Sequence, residues 1–172
     1  MEDELETMLS IGFDDESLAP FRTCSIETAE ASLKLASIDK NDIFYDLGCG
    51  DGRLCIIASR LFGCKSVGIE NFYFHKCQSS YERAEDVHHL VSFREEDALT
   101  CNLDDCTVCI TYLLPEGLAQ IKERVKEILL RGGRYVSISW EMVGWKPMKV
   151  EIAPTNARSC YLYLYTKESL PN

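Results

Sequence analysis

Strand-like apolar runs and amphipathic helical stretches alternate along most of this 172-residue chain. The clearest helical stretch begins at Pro115, carries apolar residues at helical spacing and ends before Gly132. Short apolar runs such as 42–47 and 65–70 lie between stretches of that kind. This alternation is typical of parallel strands joined by helices, because a parallel crossover must return along the sheet. The sequence therefore predicts an α/β fold with a doubly wound sheet and helices on both of its faces.

The pattern predicts four helices and seven strands, and the sixth and seventh strands end the domain. The helices are expected at 25–38, 54–61, 72–86 and 115–131, and the strands at 42–47, 65–70, 89–95, 107–112, 134–139, 148–153 and 160–167. Residues 140–147 alone separate the fifth strand from the sixth, whereas a helical crossover needs about a dozen residues. We therefore expect a loop in place of the last helical crossover.

Three glycines lie in the segment DLGCGDGR, residues 46–53, between the first predicted strand and its helix. Ligands of doubly wound sheets bind at the carboxyl ends of strands, where this turn lies. A phosphate-binding P-loop needs Lys and then Ser or Thr after its last glycine, and GDGRLC has neither. A dinucleotide fingerprint has glycine at its sixth place, where this chain has Arg53. Because Asp46 and Asp51 add negative charge, the turn suits a ligand with positive charge and no phosphate.

Acidic residues also follow the next two predicted strands. Glu70 ends the second strand, 20 residues beyond Gly50, where a carboxylate can accept both hydroxyl groups of a ribose. Asp97 follows the third strand and can accept a hydrogen bond from an adenine amino group. With Asp46, carboxylates lie at the ends of three consecutive strands. The sequence therefore predicts an adenosine without phosphates as the ligand.

The net charge of −10 disfavours nucleic acid as the main partner, because a nucleic-acid site needs basic residues. Seven acidic and no basic residues lie in 1–16, which leaves 18 basic against 21 acidic residues elsewhere. We expect an acidic arm, 1–19, before a domain at 20–172. The arm is either a solvated terminus or an attractant or lid for a basic substrate. Without a span-length apolar run or a basic leader, we expect a cytoplasmic protein, with the nucleus as the alternative.

The nine cysteines are expected to be free thiols rather than a disulfide framework, as is usual inside cells. The segment CNLDDCTVC brings Cys101, Cys106 and Cys109 close together in sequence, which raises the possibility of zinc. A second ligand pair at zinc-finger spacing is missing, however, and Cys106 and Cys109 lie in or beside a predicted buried strand. We therefore expect no metal site.

Several motifs resemble a known family. The segments YDLGCGDGR, VGIE and EEDA resemble the first three cofactor motifs of the seven-strand, or class I, S-adenosylmethionine-dependent methyltransferases, with a Rossmann-like sheet. The resemblance covers roughly residues 20–166. Within that family, PFRTCSIETAEASLKLASI, ITYLLPEGLAQIKERV and VSISWEMVGWKP resemble a branch of small methyltransferases that includes lysine-specific protein methyltransferases and bacterial relatives. The resemblance implies S-adenosyl-L-methionine as the cofactor and S-adenosyl-L-homocysteine as its product.

The resemblance also implies roles for individual residues. Asp46 would lie near the methionyl ammonium group, Glu70 would hold the ribose hydroxyls, and Asp97 would hold the adenine. The cofactor-binding residues would be Thr23, Asp46, Gly48, Cys49, Gly50, Glu70, Asn71, Asp97 and Ala98. Tyr112, after the fourth strand, would lie near the methyl group. From their chemistry, Tyr112, Trp140 and Trp145 are expected to line a desolvating pocket for the acceptor, with ordinary packing as the alternative for Trp145. Glu141 is expected to help take the acceptor's proton, with water as the alternative.

The segment after the fourth strand bears on the methyl acceptor. DNA-adenine and related amide-nitrogen methyltransferases carry an Asn/Asp-Pro-Pro-aromatic run there, whereas this chain has TYLLP, residues 111–115. An aromatic-rich loop and an acidic arm suit an aliphatic, cationic acceptor. The expected function is therefore N-methylation of a lysine side chain in a basic protein. A small-molecule methyltransferase and a non-catalytic cofactor-binding subunit are the alternatives.

Overall fold

The computed structural model describes residues 23–154 and 160–171, so the predicted acidic arm lies outside the described residues. Helices and strands alternate from the first described helix to the fifth strand, except that the third strand leads to the fourth without a helix, and two further strands follow. The elements are α1 (Ile26–Leu35), β1 (Ile43–Leu47), α2 (Arg53–Phe62), β2 (Lys65–Glu70), α3 (Phe74–Glu82), β3 (Val91–Glu95), β4 (Val108–Thr111), α4 (Pro115–Leu130), β5 (Arg134–Ile138), β6 (Lys149–Ala153) and β7 (Cys160–Tyr165), with short 3₁₀ turns at Glu85–Val87 and Lys167–Ser169.

The seven strands form one mixed sheet in the order β3-β2-β1-β4-β5-β7-β6. Strands β1 to β5 are parallel, and β7 runs antiparallel to both β5 and β6. The strand order reverses between β1 and β4, so their carboxyl ends flank the expected binding crevice. The prediction of an α/β, doubly wound, Rossmann-like sheet is confirmed. The predicted loop is also present, because β5 connects to β6 through residues 139–148 without a helix.

The two faces of the sheet are covered differently. Helices α1 and α2 pack on one face, where Leu33 and Leu54 contact a buried layer of strand residues that includes Phe44. On the other face α4 packs through residues such as Ile121, and the loop 139–148 contributes Trp145 to the same core. Only one described helix covers this second face, since neither the β3–β4 nor the β5–β6 connection contains a helix. This leaves the end of the sheet near β6 less covered than its centre.

Local sequence explains the helix boundaries. The Ser25 side chain accepts a hydrogen bond of 3.1 Å from the Thr28 amide and begins α1. The predicted helix at 72–86 instead ends at Glu82 and continues as the 3₁₀ turn. Ala84 and Val87 are buried there while Glu85 and Asp86 between them are exposed, a three-residue spacing that suits 3₁₀ geometry. No helix within 23–154 or 160–171 is long and apolar enough to cross a lipid bilayer.

Candidate active site

The glycine turn between β1 and α2 is built on left-handed backbone conformations. Gly48 has φ 78° and Gly50 has φ 60°, a region in which residues with a β-carbon are strained. The amides of Gly48 and Cys49 donate to the Ile69 carbonyl at 2.9 and 3.0 Å, which holds the turn against β2. A β-carbon at Gly48 would lie 3.3 Å from a side-chain carbon of Leu113. Leu113, in the segment after β4, therefore leaves little room for a side chain at Gly48.

Glu70 fixes the other side of the turn. Its buried carboxylate accepts a hydrogen bond of 2.8 Å from the Gly50 amide through Oε2. Its Oε1 atom accepts hydrogen bonds from three successive backbone amides, those of Asn71, Phe72 and Tyr73, at 3.0, 3.1 and 3.2 Å. A carboxylate oxygen has two lone pairs, and from the described residues Oε2 accepts only the hydrogen bond of the Gly50 amide, so one acceptor position remains beside those residues. Glu70 therefore shapes the site and can still accept a hydrogen bond from a ligand.

Asp46 is the acidic residue within β1, and its side chain is buried. Burial raises the pKa of its carboxyl group well above the usual value, and the nearby carboxylates of Glu70 and Asp51 raise it further. Among the described residues, none donates a hydrogen bond to this carboxyl group. A buried acid with two acidic neighbours and no basic partner is suited to a cationic ligand group. This fits the ammonium group that the sequence resemblance implies.

Arg53 connects the turn to the segment before α1. Its guanidinium group pairs with Asp51 at 2.7 Å (Nη2 to Oδ2), and its Nη1 donates to the Cys24 carbonyl at 3.1 Å. Burial, together with the carboxylate of Asp46, raises the pKa of the Cys24 thiol to about 12. Thr23 therefore lies on a segment that runs beside the turn. The sequence pattern alone predicts no role for Arg53 at the site, although its position two residues after Asp51 is compatible with such an ion pair.

The remaining residues expected to bind the cofactor lie at the same edge of the sheet. Cys49 is buried, and its Sγ lies 3.5 Å from Sγ of Cys77 in α3, so its thiol points into the protein. Glu70 pairs with Glu95 in the register of β2 and β3, which brings Asn71 close to the segment with Asp97. Asp97 is exposed, and its Oδ1 accepts a hydrogen bond of 2.8 Å from the Leu99 amide. Ala98, the neighbour of Asp97, is buried.

Tyr112 and Trp140 follow β4 and β5 at this edge. Thr111 pairs with Ser137, so the two aromatic side chains emerge beyond neighbouring strand ends. Tyr112 packs partly against the core on the α1 side, and Trp140 partly against the core on the α4 side. Glu141 is exposed, and its charge adds to burial in raising the pKa of Tyr163. The edge therefore carries two half-buried aromatic residues and a solvated carboxylate.

The prediction that Trp145 lines the acceptor pocket is wrong, because Trp145 lies in the core rather than at this edge. It is 7% exposed, and its ring meets that of Tyr165 edge to face with centroids 6.0 Å apart. The ammonium group of Lys122 lies 5.6 Å from the Trp145 ring centroid. Trp145 therefore anchors the loop 139–148 to the sheet and to α4.

The cysteines are free thiols, and most of them are buried. Burial raises the pKa of both Cys106 and Cys109, which favours the neutral thiol over the thiolate that binds metals. Within the described ranges, no three His, Cys, Asp or Glu side chains are grouped so that they could hold a metal ion.

Comparisons with known proteins agree with this geometry. Residues 46–149, which include the glycine turn and the ends of β2 to β5, match the ANTKMT methyltransferase domain. A protein-lysine N-methyltransferase of Saccharolobus islandicus (strain REY15A) is 30% identical over 136 residues, which cover 77% of this chain and 84% of that protein. A sterol 24-C-methyltransferase of Kluyveromyces lactis is 27% identical over 118 residues, which cover 62% of this chain and 30% of that protein.

Solved structures show the same fold. An RNA methyltransferase from Salinibacter ruber, in complex with S-adenosyl-L-homocysteine, has 30% identity and a TM-score of 0.76, covering 87% of this chain and 97% of that one. A precorrin-6y C5,15-methyltransferase from Geobacter metallireducens has 20% identity and a TM-score of 0.68, covering 91% and 97%. Three findings indicate the same activity: the seven-strand fold, the matched methyltransferase family and the cofactor product bound in the Salinibacter complex. The chain belongs to the ANTKMT methyltransferase domain family and is an S-adenosylmethionine-dependent methyltransferase with a class I, seven-strand fold.

Proposed function

We propose that this methyltransferase modifies the side-chain nitrogen of a lysine in a protein. The observation that carries the proposal is the similarity to the protein-lysine N-methyltransferase of Saccharolobus islandicus, at 30% identity over 77% of this chain. That relative has 84% of its own length covered, so the match includes most of both proteins. The acceptor of that relative is the basis for the acceptor proposed here.

The cofactor is proposed to bind along the glycine turn. S-adenosylmethionine supplies a methyl group that is already activated by a sulfonium centre. Asp46 holds the methionyl ammonium group, since its buried carboxylate has no cationic partner among the described residues. The free acceptor position of Glu70 Oε2 takes a ribose hydroxyl, with Asn71 beside it, and Asp97 with the Ala98 amide takes the adenine. Thr23 closes over the methionyl carboxylate from the segment that Arg53 positions.

The lysine acceptor must lose its proton before it attacks the methyl group. Bringing a lysine pKa from about 10.4 to physiological pH costs about 4 kcal/mol, at about 1.36 kcal/mol per unit. A partly apolar pocket lowers that pKa by desolvating the ammonium group. Tyr112 and Trp140 are the half-buried aromatic residues available for such a pocket, because Trp145 lies in the core. Their rings attract an incoming ammonium group by roughly 0.5–2 kcal/mol through cation–π contact.

Glu141 is proposed to act beside this pocket. Its carboxylate is exposed and follows Trp140 directly, so it can attract the ammonium group and take up the released proton. Glu141 also contributes to the raised pKa of Tyr163, which places its negative charge near the sheet surface. Alignment of the acceptor with the methyl group lowers the activation barrier more than proton uptake by Glu141 does, since orientation is worth roughly 7–11 kcal/mol in favourable cases.

The negative charge at the edge of the sheet that holds the candidate site supports a protein acceptor over RNA. The Salinibacter relative is named an RNA methyltransferase, and it resembles this chain at 30% identity. Here, however, the edge carries the carboxylates of Asp46, Glu70, Asp97 and Glu141, and the chain has a net charge of −10. A nucleic-acid backbone needs Lys and Arg for affinity, and like charge weakens binding. The acidic segment 1–16 is proposed to attract basic protein segments.

A labelling experiment tests this function. The enzyme is incubated with methyl-labelled S-adenosylmethionine and, separately, with protein, RNA and metabolite fractions of a cell extract. We expect label in protein, and methyl-lysine after acid hydrolysis. A Glu70→Ala variant, which is expected to bind the cofactor weakly, gives the background. Label in RNA or in metabolites, with none in methyl-lysine, would contradict the proposed acceptor and support the small-molecule or RNA alternatives.

A further inference from the structure

Strand β6 forms one end of the sheet. In the part of the chain that the structure describes, Lys149–Ala153 pair only with β7. The opposite edge of β6 has no neighbouring strand among those residues, so its backbone hydrogen-bonding groups are open to a partner. Pro147 and Pro154 bound the strand on either side, and since proline lacks an amide hydrogen, pairing is confined to the residues between them.

One face of β6 is apolar and exposed. Val150 pairs with Tyr163 and Ile152 with Tyr161, so these side chains lie on the face that α4 covers only at its centre. Ile152 is 59% exposed and Met148, one position before the strand, is 53% exposed. Of the nine exposed large apolar side chains among the described residues, five lie between residues 143 and 161. The loop that replaces the last helix thus leaves an apolar surface at the end of the sheet.

The opposite face of β6 carries two opposite charges. Lys149 and Glu151 lie on this face, and Lys149 Nζ is 2.5 Å from Glu151 Oε1. Both side chains remain substantially exposed, at 61% and 39%. The strand therefore alternates apolar residues on one face with a basic and an acidic residue on the other. A strand with this alternation can be complementary to itself when two copies run antiparallel.

We propose that β6 pairs antiparallel with β6 of a second copy of this chain, about a two-fold axis at Val150. Val150 then faces the partner's Val150, and Lys149 faces the partner's Glu151. Met148 faces the partner's Ile152 on the apolar side, so both faces are complementary. An axis at Lys149 or at Glu151 instead places two like charges opposite each other, which destabilises a strand pair. If the pairing of the two strands shifts by one residue, Val150 lies opposite the partner's Lys149 or the partner's Glu151, so an apolar side chain faces a charged one.

The dimer leaves both active sites open. Because the axis is perpendicular to the sheet, the two sheets join into one continuous sheet. The strand ends that carry the glycine turn then lie on opposite sides of the dimer. The strand β6 is separated from β4 by β7 and β5, so Tyr112 of each copy stays outside the contact. This inference does not depend on the lysine acceptor, and methyl transfer is not needed to test it.

Charge reversal tests the pairing directly. Sedimentation velocity over a range of micromolar concentrations should show the full-length chain associating from one copy to two. Lys149→Glu alone and Glu151→Lys alone each create two like-charge pairs, and each should weaken the dimer by about ten-fold or more. A mixture of the two single variants should form a heterodimer, because each Glu then faces a partner's Lys. The mixture separates contact between copies from loss of the internal ion pair, which both variants lack.

A matched pair of substitutions tests the apolar face. Ile152→Ser removes an isoleucine that is 59% exposed on β6, and Ile26→Ser removes one that is 58% exposed at the start of α1. We expect the first to shift the chain toward the monomer and the second to leave the dissociation constant unchanged. Circular dichroism and cofactor titration verify that each variant is folded. A full-length chain that stays monomeric at about millimolar concentration, or a mixture of charge variants that fails to associate, would overturn the proposal.

Discussion

The Oε2 atom of Glu70 accepts a hydrogen bond of 2.8 Å from the amide of Gly50, which ties the end of β2 to the turn after β1. The same carboxylate accepts hydrogen bonds from three further amides at the start of the β2–α3 connection. One side chain therefore organises two segments that both face the proposed cofactor site. A side chain of this kind is expected to affect ligand affinity both by direct contact and by fixing the backbone around the ligand.

Replacing Glu70 by Ala should weaken S-adenosylmethionine binding by roughly 1–3 kcal/mol, the usual cost of losing hydrogen bonds to a charged group. Titration calorimetry measures this change. Glu95→Ala is the matched control, because Glu95 pairs with Glu70 in the strand register but is exposed on β3. Equal cofactor affinity in the Glu70 variant and the wild type would contradict the ribose assignment.

A side chain at Gly50 should abolish cofactor binding. Gly50 has φ 60° within the turn, and Gly63 has φ 67° at the end of α2, away from the site. Gly50→Val and Gly63→Val thus impose similar backbone strain, on the order of 1–2 kcal/mol. We expect both variants to lose stability, measured by thermal denaturation, and only the Gly50 variant to lose cofactor binding. Loss of binding in both variants would indicate a purely structural role for the turn.

The order of elements could be predicted from the sequence because the alternating pattern is strong. The strand Lys65–Glu70 has the predicted bounds, and the short segment before β6 correctly excluded a helical crossover. The break of the helix predicted at 72–86 could not be foreseen, since no Gly or Pro marks it. There, burial of Ala84 and Val87 decides the local geometry, and burial depends on the rest of the sheet.

The positions of the candidate residues could be predicted where acidic residues coincide with strand ends, as for Asp46 in β1 and Glu70 at the end of β2. The contact between Arg53 and the Cys24 carbonyl joins residues 29 positions apart, and periodicity carries no information about it. The burial of Trp145 could not be predicted from the sequence either. Its neighbours in sequence indicate only an aromatic-rich loop, whereas its burial against Tyr165 and Lys122 depends on how that loop folds back. Such long-range contacts are set by packing rather than by local sequence.

Cofactor affinity should fall as the pH is lowered through the raised pKa of Asp46, because a protonated carboxyl group attracts an ammonium group less. Asp46→Asn should weaken binding at neutral pH by about ten-fold to a hundred-fold, in line with loss of one charged hydrogen bond. It should also flatten the dependence of affinity on pH, measured by calorimetry at several pH values. A wild-type affinity that rises steadily toward acidic pH would contradict this role.

The same substitution should stabilise the cofactor-free protein at neutral pH. Since the pKa of Asp46 is higher in the folded than in the unfolded state, the folded state binds more protons, and stability falls as pH rises above the unfolded pKa of about 3.9. Asp46→Asn removes that penalty, so its thermal midpoint should exceed that of the wild type at pH 7 and approach it in acid. A lower midpoint for the variant at pH 7 would show that the carboxylate stabilises the apo fold.

Deletion of residues 1–16 should raise the Michaelis constant for a basic protein substrate and leave cofactor affinity unchanged. Seven carboxylates in this segment attract a positively charged substrate over a distance, which salt screens. The difference between deleted and full-length enzyme should therefore shrink as salt is added. Initial rates at two or more ionic strengths measure this. A difference that salt leaves unchanged would argue for a lid that contacts the substrate directly.

Tyr112→Ala should lower turnover, and Tyr112→Phe should retain most of it. Tyr112 follows β4 next to the glycine turn, where Leu113 already approaches Gly48. Its ring is proposed to align the amine with the methyl group, and small errors of alignment can cost on the order of a hundred-fold in rate. Phenylalanine keeps the ring and its attraction for an ammonium group, so comparing the two variants distinguishes the contribution of the ring from that of the hydroxyl group.

Single-turnover rates with saturating cofactor give the comparison, and calorimetry confirms that both variants still bind the cofactor. Equal losses in the two variants would transfer the role to the hydroxyl group, and wild-type turnover in the alanine variant would remove Tyr112 from the acceptor pocket.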